Sequence, residues 1–321
     1  DGWFVTSMPD LNQRNIHVMK YLIQNSEWWI ETVGIDGIRM DTYPYADFDG
    51  MAGWMKTLNN EYPNFNVVGE TWVTEPAYTA TWQKDSKLAK KNSNLKTVMD
   101  FSFYDKLSKA KNEETDGFET GLQRIYNSFV YDYLYPNPQN VMAFIENHDT
   151  DRFLGDGKDI DMLKQAYAQL LTTQLYYGTE VLMNGTKAVT DGNVRKDFVG
   201  GFPGDKRSTF TKEGRTAEEN EMFDWLSRLL NWRKGNTVIS EGTMKQFMPH
   251  DGIYAFARQK DGKTILTVLN GTTKAATFDI RRYAEVIGDT KQGTDILTGK
   301  TIDLTGKTLK MKARESLIIE L

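Results

Sequence analysis

IDGIRMD (residues 35–41) and, further along, VVGETW (67–72) are the two stretches on which the fold turns. Each is a short apolar run that stops on an acid, Asp41 in the first and Glu70 in the second. Apolar runs of this length, bounded by Gly and turn residues, predict buried strands. Side chains two apart on a strand share a face, so Arg39 and Asp41 line one wall. Neighbouring strands lie under about 5 Å apart, which lets Glu70 approach the same bond as Asp41.

Outward from these stretches, strands alternate with helices. The spacing predicts a helix over 14–33, with Ile16, Met19, Ile23, Ile30 and Val33 on one face and Gly34 as its stop. It is followed by a strand Ile35–Met40, a helix Phe48–Glu61 with Trp54, Met55 and Leu58 on one face, and a strand Phe65–Gly69. Then come strand Thr97–Phe103, helix Gly117–Tyr131, strand Val141–Glu146, helix Ile160–Leu175, strand Glu180–Met183 and helix Ala217–Lys234. Strands separated by helices imply parallel pairing through crossovers. No Gly-x-Gly-x-x-Gly turn follows any strand, which removes the main support for a dinucleotide-binding sheet. Instead Arg39, Asp41, Glu70, Asp100, His148 and Asp149 collect at C-terminal strand ends, the edge where a parallel barrel carries its chemistry. From about Asn236 the texture changes to β-rich segments, GIYAFARQ, KTILTVLN and SLIIEL among them, between DG and NG turns. The expected class is therefore α/β: a barrel domain over 1–235 and a small antiparallel all-β domain over 236–321.

The formal charge of −5 disfavours nucleic acid, whose binding rests on excess positive charge. The absence of cysteine excludes disulfides and thiolate metal sites. No run approaches the roughly 20 apolar residues of a membrane span. The start, Asp1-Gly2-Trp3-Phe4, has no initiator Met, and the expectation is that residues before it are missing.

Two carboxylates at one rim suit glycoside cleavage: one attacks the anomeric carbon and the other, protonated, gives a proton to the leaving oxygen. A separation of about 5–5.5 Å permits direct attack and retention, and a wider gap admits water and inverts. A guanidinium at Arg39 favours the ionised form of Asp41, and desolvation of Glu70 beside Trp72 favours its protonated form. Taken alone, Arg39 and Asp41 read first as a barrel-end salt bridge. The combination with FIENHDTDR (144–152) favours chemistry, because His148 and Asp149 follow an apolar run two strands later, placed to hold sugar hydroxyls. Zinc at His148 finds no support, since His17 and His250 lie at no ligand spacing from it. A serine nucleophile fails for want of Gly-x-Ser-x-Gly.

MPDLN (8–12), GIRMDTYPY (37–45), VVGETW (67–72) and FIENHDT (144–150) appear in this order, and through them the chain resembles the α-amylase family, glycoside hydrolase family 13. The resemblance implies Asp41 as nucleophile, Glu70 as acid/base, Asp149 as transition-state stabiliser, and Arg39 and His148 as an assisting pair. MPDLN is similar to the version found in neopullulanases, cyclomaltodextrinases and maltogenic amylases. That implies a retaining hydrolase acting on α-1,4-glucan oligosaccharides, namely maltodextrins, cyclodextrins or pullulan. An α-glucan transglycosylase or isomerase of the same family, and a non-catalytic glycan-binding subunit, stay open beside it. The family's first motif and the first three barrel strands are absent, so the resemblance implies only the second part of a (β/α)8 barrel plus its C-terminal β domain, with the N-terminal part of the same enzyme as a missing partner. It also implies an extracytoplasmic location, with a cytoplasmic one left open.

The segment Thr186–Asp205 after the eighth strand is long for a connection and reads as site-lining. Trp72, Tyr43, Tyr45 and Phe198 are candidate sugar-stacking walls, each also explicable as core. The chemistry requires no cofactor. Asp191, Asn193 and Asp197 offer oxygen ligands for Ca²⁺, although a solvated acidic loop explains them as well.

Overall fold

The computed structural model describes residues 3–157, 159–171 and 174–321. Strands β1 (Trp3–Val5) and β2 (Met8–Pro9) form a small antiparallel pair. Then follow α1 (Ile16–Val33), β3 (Gly37–Met40), α2 (Phe48–Glu61), β4 (Asn66–Gly69), α3 (Pro76–Thr81), β5 (Thr97–Met99), α4 (Phe101–Ala110), α5 (Leu122–Phe129) and β6 (Val141–Met142). Next are α6 (Ile160–Leu170), α7 (Asp191–Val194), α8 (Ala217–Arg233), α9 (Thr237–Glu241), and the strands β7 (Thr243–His250), β8 (Ile253–Lys260), β9 (Lys263–Asn270) and β10 (Ala276–Asp279). The chain ends with α10 (Ala284–Ile287), β11 (Gln292–Asp295), β12 (Thr301–Asp303), β13 (Thr308–Met311) and β14 (Ser316–Glu320). It folds as two compact units: residues 1–105 with 128–144, and residues 106–127 with 145–321.

The first unit is built on a parallel sheet in the order β3-β4-β5-β6. Its register pairs Ile38 with Val67, Met40 with Gly69 and Val98 with Val141. Asn15 caps α1 by accepting from the His17 and Val18 N–H groups, and Gly34 ends it at φ 71°, a left-handed conformation that costs glycine nothing. The expected face is only partly covered: Met19, Ile23 and Ile30 pack on the core, whereas Ile16 and Val33 are exposed. Helix α2 has the expected bounds, capped by Asp47, and buries Met51, Trp54, Met55 and Leu58. Gly69 is required for packing: a Cβ there would meet Leu95 Cδ2 at 2.6 Å and Tyr43 Cγ at 3.0 Å.

The second unit contains a six-stranded antiparallel sheet ordered β12-β11-β14-β9-β8-β7, with β10 and β13 as a separate pair. The core beside this sheet consists of Ile253, Ala255, Leu266, Val268, Phe278, Tyr283 and Ile319. Apart from the short α9, α10 and a 3₁₀ turn at Ile280–Tyr283, segment 236–321 has the expected β character. Helix α8 starts with a capping box, in which the Glu219 N–H donates to the Thr216 hydroxyl and the Glu219 carboxylate accepts from the Thr216 N–H.

Several expected elements change. The strand Thr97–Phe103 stops at Met99, because the Asp100 carboxylate accepts the Phe103 N–H and starts α4 from residues that look β-forming. The helix expected over Gly117–Tyr131 shortens to α5, since Gly121 at φ 52° breaks its first part. The strand Val141–Glu146 shortens to β6. The strand Glu180–Met183 is replaced by a 3₁₀ turn, Thr179–Val181, flanked by Gly178 at φ 85° and Leu182 at φ 59°. Helix α6 ends at Leu170, and Thr172 and Thr173 of the expected helix lie outside the described residues. Among the described residues no helix is long and apolar enough to cross a membrane.

Candidate active site

In the first unit the acids stand where the strands end. Asp41 directly follows β3 and Glu70 directly follows β4, and the Glu70 N–H donates to the Met40 carbonyl at 2.9 Å, continuing the ladder by one residue. Arg39 contacts both acids: one guanidinium nitrogen donates to Asp41 Oδ1 and the other to Glu70 Oε1 at 2.7 Å. The same-wall expectation for Arg39 and Asp41 is thereby met in their contact. The side chain of Asp41 is 58% exposed and that of Glu70 only 4%. One acid faces solvent and the other lies beneath the rim.

The second oxygen of Glu70 is also held. Thr42 N–H donates to Glu70 Oε2 at 2.8 Å, and the Tyr43 N–H donates to the Glu70 carbonyl at 3.2 Å. Thr42 reaches this position at φ 49°, a left-handed backbone that a β-branched residue rarely adopts. A cavity of about 380 Å³ opens between Phe4, Met8, Tyr45 and the residues on either side of Asp41, Met40 and Thr42.

The aromatic candidates divide. Trp72 is 40% exposed, one face stacked on Phe101 at 4.7 Å between centroids. Tyr45 is 53% exposed, its ring edge-on to Phe4. Tyr43 corrects the expectation of a sugar wall: its ring is fully buried, edge-on to Trp82, and burial pushes its phenol well up. Tyr43 opens the 3₁₀ turn Tyr43–Tyr45 directly after the left-handed Thr42, so the two-residue alternation of β3 has ended before it and its ring turns into the core.

In the second unit the segment 146–152 forms a tight turn. Asn147 Oδ1 accepts the Asp149 N–H at 2.8 Å, and the Thr150 hydroxyl accepts the Asn147 N–H at 2.9 Å. His148 Nε2 lies 3.0 Å from Asp149 Oδ2. Beneath the turn Glu146 and Arg152 are both buried, with Arg152 donating to Glu146 Oε1 at 3.3 Å. The Thr179 hydroxyl and the Phe153 N–H donate to Glu146 as well. Burial pushes the Glu146 carboxyl up, against the pull of these donors and of the Arg152 charge. Arg152 stacks over the rings of Tyr176 and Tyr177, at 4.0 and 5.0 Å from their centroids.

The segment after the 3₁₀ turn carries a residue that sequence reasoning missed. Arg195 Nε donates to the His148 carbonyl at 2.7 Å, and its terminal nitrogen to Asp149 Oδ1 at 2.6 Å. Arg195 lies inside the segment 186–205 expected to line a site, but nothing in VTDGNVRKDF singles it out. Phe198 is half-buried against Phe210, with centroids 4.7 Å apart. Of the Ca²⁺ candidates, Asp191 lies 3.2 Å from Lys187 Nζ, and the Asn193 amide donates to the Thr186 carbonyl. Among the described residues no group of three or more His, Asp or Glu is placed to hold a metal ion.

Residues 2–229 match the model of the α-amylase catalytic domain, and residues 244–320 match that of the cyclo-malto-dextrinase C-terminal domain. Among curated relatives, a cyclomaltodextrin glucanotransferase of Geobacillus stearothermophilus is 28% identical over 91% of this chain and 39% of its own length. An α-amylase of Niallia circulans is 27% identical over 92% of this chain and 53% of its own. The chain thus spans about two fifths to one half of the length of these relatives. Among solved structures, the α-amylase of Geobacillus thermoleovorans complexed with acarbose superposes with a TM-score of 0.78 at 22% identity, over 99% of this chain and 66% of that one. An Anoxybacillus α-amylase gives 0.77 at 23% identity, over 98% and 65%. These neighbours carry the expected fold class, the second part of a (β/α)8 barrel followed by a small antiparallel sheet domain. On the family match over residues 2–229, the chain belongs to the α-amylase family of glycosidases and transglycosylases.

Proposed function

We propose that this chain carries the reacting groups of a retaining α-glucan hydrolase, with Asp41 as nucleophile, Glu70 as acid/base and Asp149 as the acid that steadies the charged sugar ring. The observation that carries the proposal is the single guanidinium of Arg39 in contact with both Asp41 and Glu70. It supports a spacing suited to one glycosidic bond, and the exposure of Asp41 suits attack on a ligand arriving from solvent. In the first displacement Asp41 Oδ attacks the anomeric carbon while Glu70 gives its proton to the departing oxygen. In the second, Glu70 takes a proton from water, which displaces Asp41 and restores the configuration. Both Glu70 oxygens accept hydrogen bonds in this structure, Oε1 from Arg39 and Oε2 from the Thr42 N–H, and a protonated Glu70 keeps acceptor capacity beside the proton it gives. Trp72 and Tyr45 are the exposed rings suited to sugar stacking in the first unit, and Phe198 in the second.

The substrates proposed are small maltodextrins, cyclodextrins or pullulan, in keeping with MPDLN and the match of residues 244–320. The proposed domain division is a catalytic part over 1–235 and a β domain over 236–321. Asp41→Asn and Glu70→Gln in the full-length protein are expected to lower maltotriose hydrolysis by about 10²- to 10⁴-fold. Near-normal turnover by either variant overturns the assignment. Transfer rather than hydrolysis is the second reading, favoured by the glucanotransferase among the relatives. Oligosaccharides longer than maltotriose as the main product would establish it.

A further inference from the structure

We infer that Arg195 is a positioning residue for Asp149, held in place from beneath by the buried Arg152. The inference rests on the reading of Asp149 as a group that meets substrate.

An arginine beside a carboxylate at a surface usually contributes little, because two long side chains must be ordered in water. Three features separate Arg195 from that ordinary pair. It is bound twice, to the His148 carbonyl at 2.7 Å and to Asp149 Oδ1 at 2.6 Å, so it fixes the backbone and the carboxylate of consecutive residues together. Its target is sheltered, the Asp149 side chain being 19% exposed. Its root is anchored: Arg152 Nε donates to the carbonyl of Val194, the residue before Arg195, at 3.0 Å, and Val194 is fully buried. Arg152 is itself locked by Glu146 and by the Tyr177 carbonyl at 2.7 Å, and its own N–H donates to the Gly185 carbonyl at 3.1 Å. A side chain at Gly185 would meet the Asn193 carbonyl at 2.2 Å, so backbone packs on backbone at the base of the Arg195 segment.

The chain of contacts runs from a buried ion pair, through one peptide, to an exposed guanidinium on Asp149. The Arg195 side chain is itself 41% exposed, so it is the anchored backbone at Val194 and the two charge-assisted hydrogen bonds that set its place. Arg195 takes Oδ1 and His148 stands at Oδ2, so the carboxylate plane is fixed from both sides. A sugar hydroxyl then meets Asp149 in one orientation.

The test is a double-mutant cycle in the full-length protein with maltotriose as substrate, comparing Arg195→Ala, Asp149→Asn and the double variant. Arg195→Ala is expected to lower kcat/KM roughly tenfold or more, the worth of a hydrogen bond to a charged group, mainly through kcat. Arg195→Lys, able to keep one of the two bonds, recovers part of it. In the Asp149→Asn background, removing Arg195 changes the rate less than about twofold, because it acts only through that carboxylate. An equal loss in both backgrounds overturns the inference, as does a rise in KM at unchanged kcat, which marks direct substrate binding. If Asp41→Asn and Glu70→Gln abolish turnover while Arg195→Ala and Arg195→Gln both match wild type, the inference fails and the functional reading survives. If Asp41→Asn and Glu70→Gln leave turnover intact, the functional reading itself has failed and the inference falls with it.

Discussion

In the first unit one guanidinium, that of Arg39, serves an exposed acid and a buried one, Asp41 and Glu70. In the second unit the work is divided: Arg152 holds the buried Glu146, and Arg195 holds the partly exposed Asp149. The backbone explains the difference. At a parallel strand end, side chains two apart already share a face, and one arginine on β3 reaches both its own strand's acid and its neighbour's. The 146–152 segment is a turn in which Glu146 is buried and Asp149 partly exposed, and each meets its own guanidinium. Arg39 stands partly exposed between two acids, whereas Arg152 is a buried post against one.

The largest effect is therefore expected at the post. Arg152→Met leaves Glu146 buried without its counter-charge, and removal of one member of a buried pair costs about 3–5 kcal/mol. Urea denaturation of the variant should show that loss with little change in slope. A loss under about 1 kcal/mol would mean that Thr179 and the Phe153 N–H suffice for Glu146, and the division of labour would be illusory. The matching change at the strand rim, Arg39→Met, should cost less, about 1–3 kcal/mol, since Glu70 keeps the Thr42 N–H and Asp41 faces water. If the two variants are equally destabilised, the contrast between shared and dedicated arginines is broken.

Acid titration sharpens the comparison through sign. Glu219, in the capping box of α8, is held below the usual carboxylate range first by its hydrogen bonds from Arg207, with its own burial opposing. Its folded pKa is lowered, so its contribution is present above the unfolded value of about 4.3 and is lost as pH falls through the folded value. Glu146 has the opposite sign. Burial raises its folded pKa, so stability is lost as pH rises from about 4.3 through the folded value. Thermal midpoints measured from pH 3 upward, a range set by these values, should fall on acidification in wild type and fall less in Glu219→Gln, by of order 1–2 kcal/mol. The same series in Glu146→Gln should lose the component that declines toward neutral pH. A Glu219→Gln variant with an unchanged acid limb would show that the Arg207 pair adds nothing.

Much of the rim was legible because its signals are local. The i, i+2 spacing of Arg39 and Asp41 and the Gly-Glu step at 69–70 are properties of single strands, and α2 was bounded by its own cap and apolar face. The antiparallel strands β8 and β9 carry long β-forming runs between Asp-Gly turns, and these emerged as expected. What escaped depended on partners distant in sequence or on competition between propensities. Phe101 and Phe103 look like strand, but the Asp100 cap turns the same residues into helix α4. Tyr43 looked like a sugar wall, yet its burial is decided by Leu95, Trp82 and the missing side chain of Gly69. Arg195 sits 46 residues from Asp149, and no periodicity connects them.

The smallest effect tests the most local feature of the rim. Thr42 directs its N–H onto Glu70 only by holding φ at 49°, a conformation costing a non-glycine residue roughly 1–2 kcal/mol. Thr42→Gly keeps the N–H and removes the steric cost, while the more flexible unfolded chain offsets part of the gain. The net result expected is stabilisation of no more than about 1 kcal/mol, with hydrolysis retained because the donor to Glu70 persists. Thr42→Pro removes the donor and forbids the conformation, so it should lose both stability and turnover. The pair of variants separates the amide from the side chain. If Thr42→Gly is destabilised by more than about 1 kcal/mol, the threonine side chain rather than its backbone holds this corner. The shared-arginine rim would then owe the placement of Glu70 to packing, unlike the 146–152 turn, whose backbone is held by the Asn147 and Thr150 side chains.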